Sequence, residues 1–317
     1  MPGISSLVVL LAHCVIVALA LFIPLQLPAN VNIPSLGLSV NATDLKGQPA
    51  IPGFDAVLSW VPRVSIKPED AYLCAIDFMY DLASSGWDEI IPSGYEASSK
   101  DVNGIIIAYG SLAHPEDKNQ LQNKHLILGL LKTMNTLASR KSFCITRAIL
   151  YMYNKPVGQL AIARQVSPTL TEINGTNFSL GNLDPMTNSM ASRNLTVERD
   201  IVDPEDSNFV ISFETLEDSI PCQSLLNAAV NGLAISAPAK NDDVCTEFAG
   251  VSSGGEVTYM IHRNSPGTTR FLLTYNLVRR SLKLLPARMY KDGLCGEVKF
   301  DFIYGDEELG GGTMFLS

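Results

Sequence analysis

The sequence predicts an α+β protein, an α/β sandwich made as a tandem duplication of one β-α-β-α-β-β domain. Each copy is expected to be a mixed sheet with two helices packed on one face. Three observations predict this. A shift of 151 residues lays "GIIIAYGS" from Gly104 onto "GEVTYMIH" from Gly255, and "FCITRAILYMYN" from Phe143 onto "LCGEVKFDFIYG" from Leu294. Around those matches, strand-like and helix-like segments follow one another in the same order. The cysteines repeat as well, with Cys144 falling on Cys295.

In the first copy, residues 54–165, "AVLSW" reads as a short strand and Pro68 opens a helix with Leu73, Ile76, Tyr80 and Ala83 at helical spacing. "GIIIAYG" is a β-branched run and reads as a buried strand. A second helix follows, with Leu126, Leu130, Met134 and Leu137 on one face. "FCITRAILYMYN" and "GQLAIAR" then give two strands about the turn at Lys155-Pro156. The second copy, residues 207–317, repeats the order. "NFVISFE" is a strand, "SIPCQSLLNAAVNGLA" a helix, "GEVTYMIH" a strand and "TRFLLTYNLVRRSLKLL" a helix. Two final strands alternate cleanly, with Val298, Phe300 and Phe302 opposed to Lys299 and Asp301.

The glycine run Gly310-Gly311-Gly312 invites a phosphate-loop reading, and its context refuses one. It lies between two strands, where the first copy has a hairpin, and Asp306, Glu307 and Glu308 precede it. A phosphate loop must leave a strand and enter a helix whose N–H groups hold the anion. The run is expected to be a turn and bulge.

Residues 1–29 read as a signal peptide, with Ala18-Leu19-Ala20 or Ala29 as the cut site, or as an uncleaved anchor. Either sends the bulk of the chain across a membrane. Residues 30–53 form an N-terminal segment, and 166–206 a polar linker. Four N-x-S/T sequons, at Asn41, Asn174, Asn177 and Asn194, are expected glycosylation sites, three of them clustered in the linker. The acidic run Glu198 to Ser207 lacks calcium-loop spacing and reads as solvated linker.

Beyond Cys14 in the leader, five cysteines remain. The duplication predicts Cys74–Cys144 and Cys222–Cys295, each tying a helix to its sheet, and leaves Cys245 as the odd thiol.

Net charge is −9 and the basic residues are scattered, so a nucleic-acid partner is not expected. The doublet Arg279-Arg280 reads as the solvated side of a helix. "GVSSG", Gly250 to Gly254, fits the nucleophile-elbow pattern around Ser252, but a strand rather than a helix is expected after it. Histidines are few: His114 in a loop, His125 at the start of a helix, and His262 at the end of a strand. Asp77 and Asp81, four apart on one helix face, form the best carboxylate pair. Asp77, Asp81 and His262 are therefore the weak catalytic candidates. No metal or cofactor is expected. Trp87 and Tyr95 lie in a loop as a partner anchor or a cap over the core.

These observations point to a secreted, glycosylated, non-catalytic interaction protein acting at a cell surface, wall or host interface. Its partner would be a protein or glycan, and a membrane only if residues 1–29 stay attached. The alternative is an extracellular or lumenal enzyme acting on a small apolar molecule in a cleft between the domains.

Overall fold

The structure, a computed structural model, describes residues 49–94, 96–98, 102–164, 199–264 and 270–317. The leader and all four sequon asparagines lie outside the described residues, as does Tyr95. The protein is mixed α+β, with four helices and two antiparallel sheets among the described residues.

The first half runs β1 (Phe54–Ser65), α1 (Pro68–Ser85), β2 (Glu96–Ser98), β3 (Ile105–Ser111), α2 (Asn123–Ser139), β4 (Cys144–Met152) and β5 (Lys155–Arg164). The second runs β6 (Arg199–Val202), β7 (Phe209–Ser219), α3 (Cys222–Ser236), β8 (Glu247–Val251), β9 (Val257–Arg263), α4 (Tyr275–Lys291), β10 (Gly296–Tyr304) and β11 (Glu307–Leu316). Local chemistry sets the helix starts. Pro68 stands in the first turn of α1 with Glu69 and Asp70, where a missing N–H costs nothing and negative charge is favoured. At the start of α2 the Gln122 N–H donates to His125 Nδ1 at 3.1 Å, half of a capping box.

Strand orders are β1-β4-β5-β3-β2 and β6-β7-β10-β11-β9-β8. Every described pairing is antiparallel, which corrects the mixed sheet expected from the sequence. A helix that alone joins two neighbouring strands makes them parallel. Here β1 and β3 are separated by β4 and β5, and short β2 adds a reversal after α1. Strand β8 does the same after α3. Both short strands fall in segments whose sequences carry weak alternation.

One face of each sheet is covered by its own two helices, and the halves meet helix to helix, chiefly α1 against α3. The described residues belong to one compact unit with a continuous apolar core. Under the first sheet, Gly129 of α2 lets the helix close on Leu150 and Leu160; a Cβ there would stand 2.5 Å from the Leu150 side chain. In the second half the core is aromatic, with Phe209, Phe213, Tyr259, Phe300 and Phe302 all buried.

The glycine run is not the turn. Gly310 to Gly312 lie within β11, paired with β10 on one side and β9 on the other. The turn is at Gly305, whose φ is 61°, and the bulge is at Leu309. Glycine is needed because the Phe300 ring packs where a side chain at 312 would stand, 2.5 Å from its Cβ position.

Only one of the two expected disulfides is present. Cys222 and Cys295 are joined, 73 residues apart. Cys74 and Cys144 are not bridged to one another; both are buried. The reason is register. Ile66 N–H donates to Phe143 O, and Ile220 N–H to Cys295 O, so Phe143 rather than Cys144 holds the place of Cys295. Cys222 lies two residues past Ile220, whereas Cys74 lies eight past Ile66, about 9 Å farther along its helix. Its thiol donates to Ile105 O of β3, two strands away from β4. Cys245, the odd thiol, is fully buried, and burial raises its pKa to about 11.

Two charge readings are also corrected. Residues 199–206 are no solvated linker: 199–202 form β6, and Asp203 is buried against Arg280 at 2.6 Å. Arg279 is no surface residue either, with 0% exposure. Its guanidinium donates to Ala83 O, Ser236 O, Ala239 O and Asn241 Oδ1. The carbonyls come from the C-terminal ends of α1 and α3, where the helix dipoles are negative and stabilise a cation. Burial still lowers its pKa to about 10.

Candidate interaction surface

The structure separates the sequence's chemical candidates. Asp77 is held by Lys283 Nζ at 2.8 Å. Lys283 also lies 4.3 Å over the Tyr80 ring and 3.7 Å from Glu205. This cluster joins α1, α4 and the turn after β6. Asp81 is exposed one turn along α1, and its charge also raises the Lys283 pKa, after the hydrogen bond and charge of Asp77. His262 is elsewhere, exposed on β9. Asp77 thus ties α1 to α4, and neither it nor Asp81 shares a site with His262.

Ser252 is buried in the β8–β9 hairpin, where its Oγ accepts from the N–H groups of Glu256 and Val257. A strand precedes it and, as the sequence led one to expect, a second strand follows in place of a helix, so no elbow forms. His125 is buried and stacked on Phe54, and burial lowers its pKa to about 4. Trp87 packs against the core.

The place where the halves meet is filled with side chains. Asn227 Nδ2 donates to Tyr72 Oη and to Asn135 Oδ1, its Oδ1 accepts from Ser253 N–H and from Asn231 Nδ2, and Asn135 reaches Asn231 at 3.5 Å. A satisfied polar cluster of this kind fixes the pairing of α1 with α3.

The outward faces of the sheets differ in kind. Residues directly opposite one another in a sheet share a face. On the first sheet, Ala56, Leu150 and Gly158 belong to an inward row. The outward rows are therefore Val57–Ile149–Gln159, Ser59–Arg147–Ala161–Ala108, and Val61–Ile145 with Ala163–Ile106 beside it. Val57 and Val61 are 54% and 43% exposed. Ile106 and Ala163 are buried yet lie outside the main core cluster, as expected for residues on the far side of the sheet. The one charged side chain in these rows, Arg147, donates to Gln159 Oε1 at 2.5 Å.

On the second sheet the central outward row reads Asp200–Ser212–Asp301–Gly311–His262–Glu247. Beside it runs Glu214–Lys299–Thr313–Met260–Ala249. The Asp301 carboxylate leans over Gly311, 2.5 Å from where a Cβ would stand. Its pKa is raised, first by burial and then by Glu308, while Lys299 and His262 oppose the rise. The Asp301 carboxyl thus lies within the influence of His262 across a glycine.

No family model and no curated protein matches the chain. Among solved structures, the tesB protein of Mycobacterium avium subspecies paratuberculosis is 10% identical over 85% of this chain and 96% of its own. Its TM-score is 0.13, so it supports no argument about fold or function. Among the described residues, no helix is long and apolar enough to cross a membrane.

Proposed function

We propose that this chain is a secreted, glycosylated interaction protein, evolved by tandem duplication, that docks a protein partner on the outward face of its first sheet. One observation carries the reading. An antiparallel sheet with one solvated face alternates apolar inward and polar outward. The second sheet obeys this rule along its central rows, whereas the first presents Val57, Val61, Ile145 and Ile149 outward around a single arginine. Contiguous exposed apolar surface of that kind marks an interaction site. A glycan would call for a denser set of hydrogen-bonding groups, so a protein partner fits this face better.

Secretion is supported by the apolar leader, the sequon cluster and the Cys222–Cys295 disulfide. Duplication is supported by the strand orders, which match once β6 is set aside, and by the paired hydrogen bonds Ile66 to Phe143 and Ile220 to Cys295. Action at a cell surface, wall or host interface follows from export combined with an adhesive face.

The test is retention of the purified protein on surface fractions of its native host. Ile149→Asp should reduce retention at least about tenfold, since a charge forced against an apolar partner is strongly unfavourable. Unchanged retention of a folded variant would reject the face as the docking surface.

A further inference from the structure

We infer that the open edge of β1 binds an extended segment of a protein partner, added to the first sheet as an antiparallel strand. The fitting segment carries an acidic residue opposite Leu58 and an apolar one two places on, opposite Ala56. This goes beyond the outward face considered above, because it concerns backbone groups at the edge of the sheet.

The two halves enter their first long strands alike. Phe54 N–H donates to Ile51 O as Phe209 N–H does to Asp206 O, and Gly53 O accepts from Tyr153 N–H as Asn208 O does from Gly305 N–H. Ala56 therefore stands at the place of Ile211, and Leu58 at the place of Phe213. The ladders agree: Leu58 lies opposite Ala148, the fifth residue of β4, and Phe213 opposite Phe300, the fifth of β10.

In an antiparallel pair, alternate residues turn both backbone groups to the partner, and those between turn theirs away. Gly53 O faces β4, so Ala56, Leu58 and Trp60 direct their N–H and C=O groups away from it. Asn208 O faces β10, so Ile211 and Phe213 do the same, and there they meet β6, with Ile201 opposite Ile211 and Arg199 opposite Phe213. On the first sheet β1 is the outermost strand among the described residues. The Ala56 N–H is taken locally by Asp55 Oδ1 at 2.8 Å, and Pro62 has no N–H to offer, so the acceptor stretch runs from Ala56 to Trp60. β6 itself has four residues, so a stretch this short suffices.

Charge selects the segment. Arg199 of β6 reaches Asp292, the residue that closes α4, at 3.3 Å. Arg140 closes α2 in the same way: its N–H donates to Thr136 O four residues back, as that of Asp292 does to Arg288 O. The sign is reversed. Arg140 is exposed, its guanidinium lies 3.8 Å over the Trp60 ring, and none of the ion pairs among the described residues engages it. A strand laid on β1 as β6 lies on β7 brings its residue opposite Leu58 to this arginine, where an acidic side chain is favoured. Two places on, its side chain turns to the helix side beside Ala56, as buried Ile201 does beside Ile211. Main-chain hydrogen bonds give such a contact its affinity, and the alternate side chains give it specificity.

Two synthetic peptides test this on the full protein: the sequence of residues 197–203, and the same sequence carrying Arg199→Glu. Amide exchange and chemical shifts of the isotope-labelled protein report the result. The expected outcome is protection of the Leu58 and Trp60 amides, with the Arg199→Glu peptide binding about two- to fivefold tighter at low salt, the range of an exposed ion pair. An Arg140→Glu variant, shown by its melting curve to be folded, should reverse the order of the two peptides. Near 1 M salt, where the screening length is about 3 Å, the difference should vanish. Failure of both peptides to protect those amides, or an order unchanged by Arg140→Glu, would overturn the inference. So would Leu58 and Trp60 amides already protected before any peptide is added, because this chain or a second copy would then cover the edge.

Discussion

Once β6 is set aside, the two halves use one strand order and close it by different means. In the second half a disulfide from the first residue of α3 to the start of β10 ties helix to sheet. In the first half the same junction is held by packing: Phe143 takes the place of Cys295, and its ring lies 5.4 Å from that of Tyr72. The helix interiors differ likewise. Position 125 holds a buried histidine where α4 has Leu277, and position 127 holds isoleucine where α4 has the buried Arg279. Equivalent places in one architecture thus accept a covalent tie or an aromatic contact, a cation or an alkyl chain. Each choice works only with partners supplied by the surrounding chain. Outside, the contrast is one of surface chemistry, because one sheet shows water a charged face and the other a largely apolar one.

The largest expected effect tests the covalent difference. Replacing Cys222 and Cys295 by serine should cost about 4 kcal/mol, the chain-entropy value for a loop of this length. Replacing Cys74 and Cys144 by serine and alanine should cost markedly less, because no bridge is lost. Urea unfolding of both pairs checks this, and equal losses would erase the asymmetry.

Acid should act next, through the first half. Burial depresses the His125 pKa in the fold from 6.5 to about 4. As pH falls, the unfolded chain takes up this proton first, so stability is intact above about pH 6.5 and declines towards pH 4. The loss is about 3 kcal/mol when complete. His125→Gln should flatten that slope in melting temperatures measured against pH.

Arg279→Met should cost about 2 kcal/mol. Four oxygens lose their donor, while relief of the buried charge offsets part of that loss. Differential scanning calorimetry would show it, and a neutral outcome would mean that the cation is not needed to join α1 to α3. The smallest effect on stability is expected at the proposed docking face. Val57→Asp should change unfolding free energy by less than about 0.5 kcal/mol, as for other exposed positions, even though it removes binding.

Much of this was legible in the sequence, because the helices and long strands carry strong periodicity. The alternation of Val298, Phe300 and Phe302 against Lys299 and Asp301 gave β10 its correct faces, and the helical spacing of Leu126, Leu130 and Met134 gave α2. Strands β2 and β8 escaped because three to five residues are too few to display a period, and with them went the direction of β3 and β9. Disulfide pairing was half right for a related reason. A shift of 151 aligned cysteine with cysteine, but backbone hydrogen bonds set the register one residue away, and sparse identity cannot resolve one residue. Arg279 looked exposed because a buried arginine depends on carbonyls from distant helix ends. The outward placing of Ile145 and Ile149 could not be read from the strand segment alone, because the sheet's pairing sets which alternate residues face away from the helices.

The most direct measurement places a photo-crosslinking amino acid at Ile149 and, as a control, at exposed Asp242, in protein expressed by its native host. If the first sheet carries the docking surface, irradiation yields a defined adduct from position 149 and none from 242, and the adduct's mass tells a second copy from another protein. No adduct at 149, or equal labelling at both positions, would contradict the account.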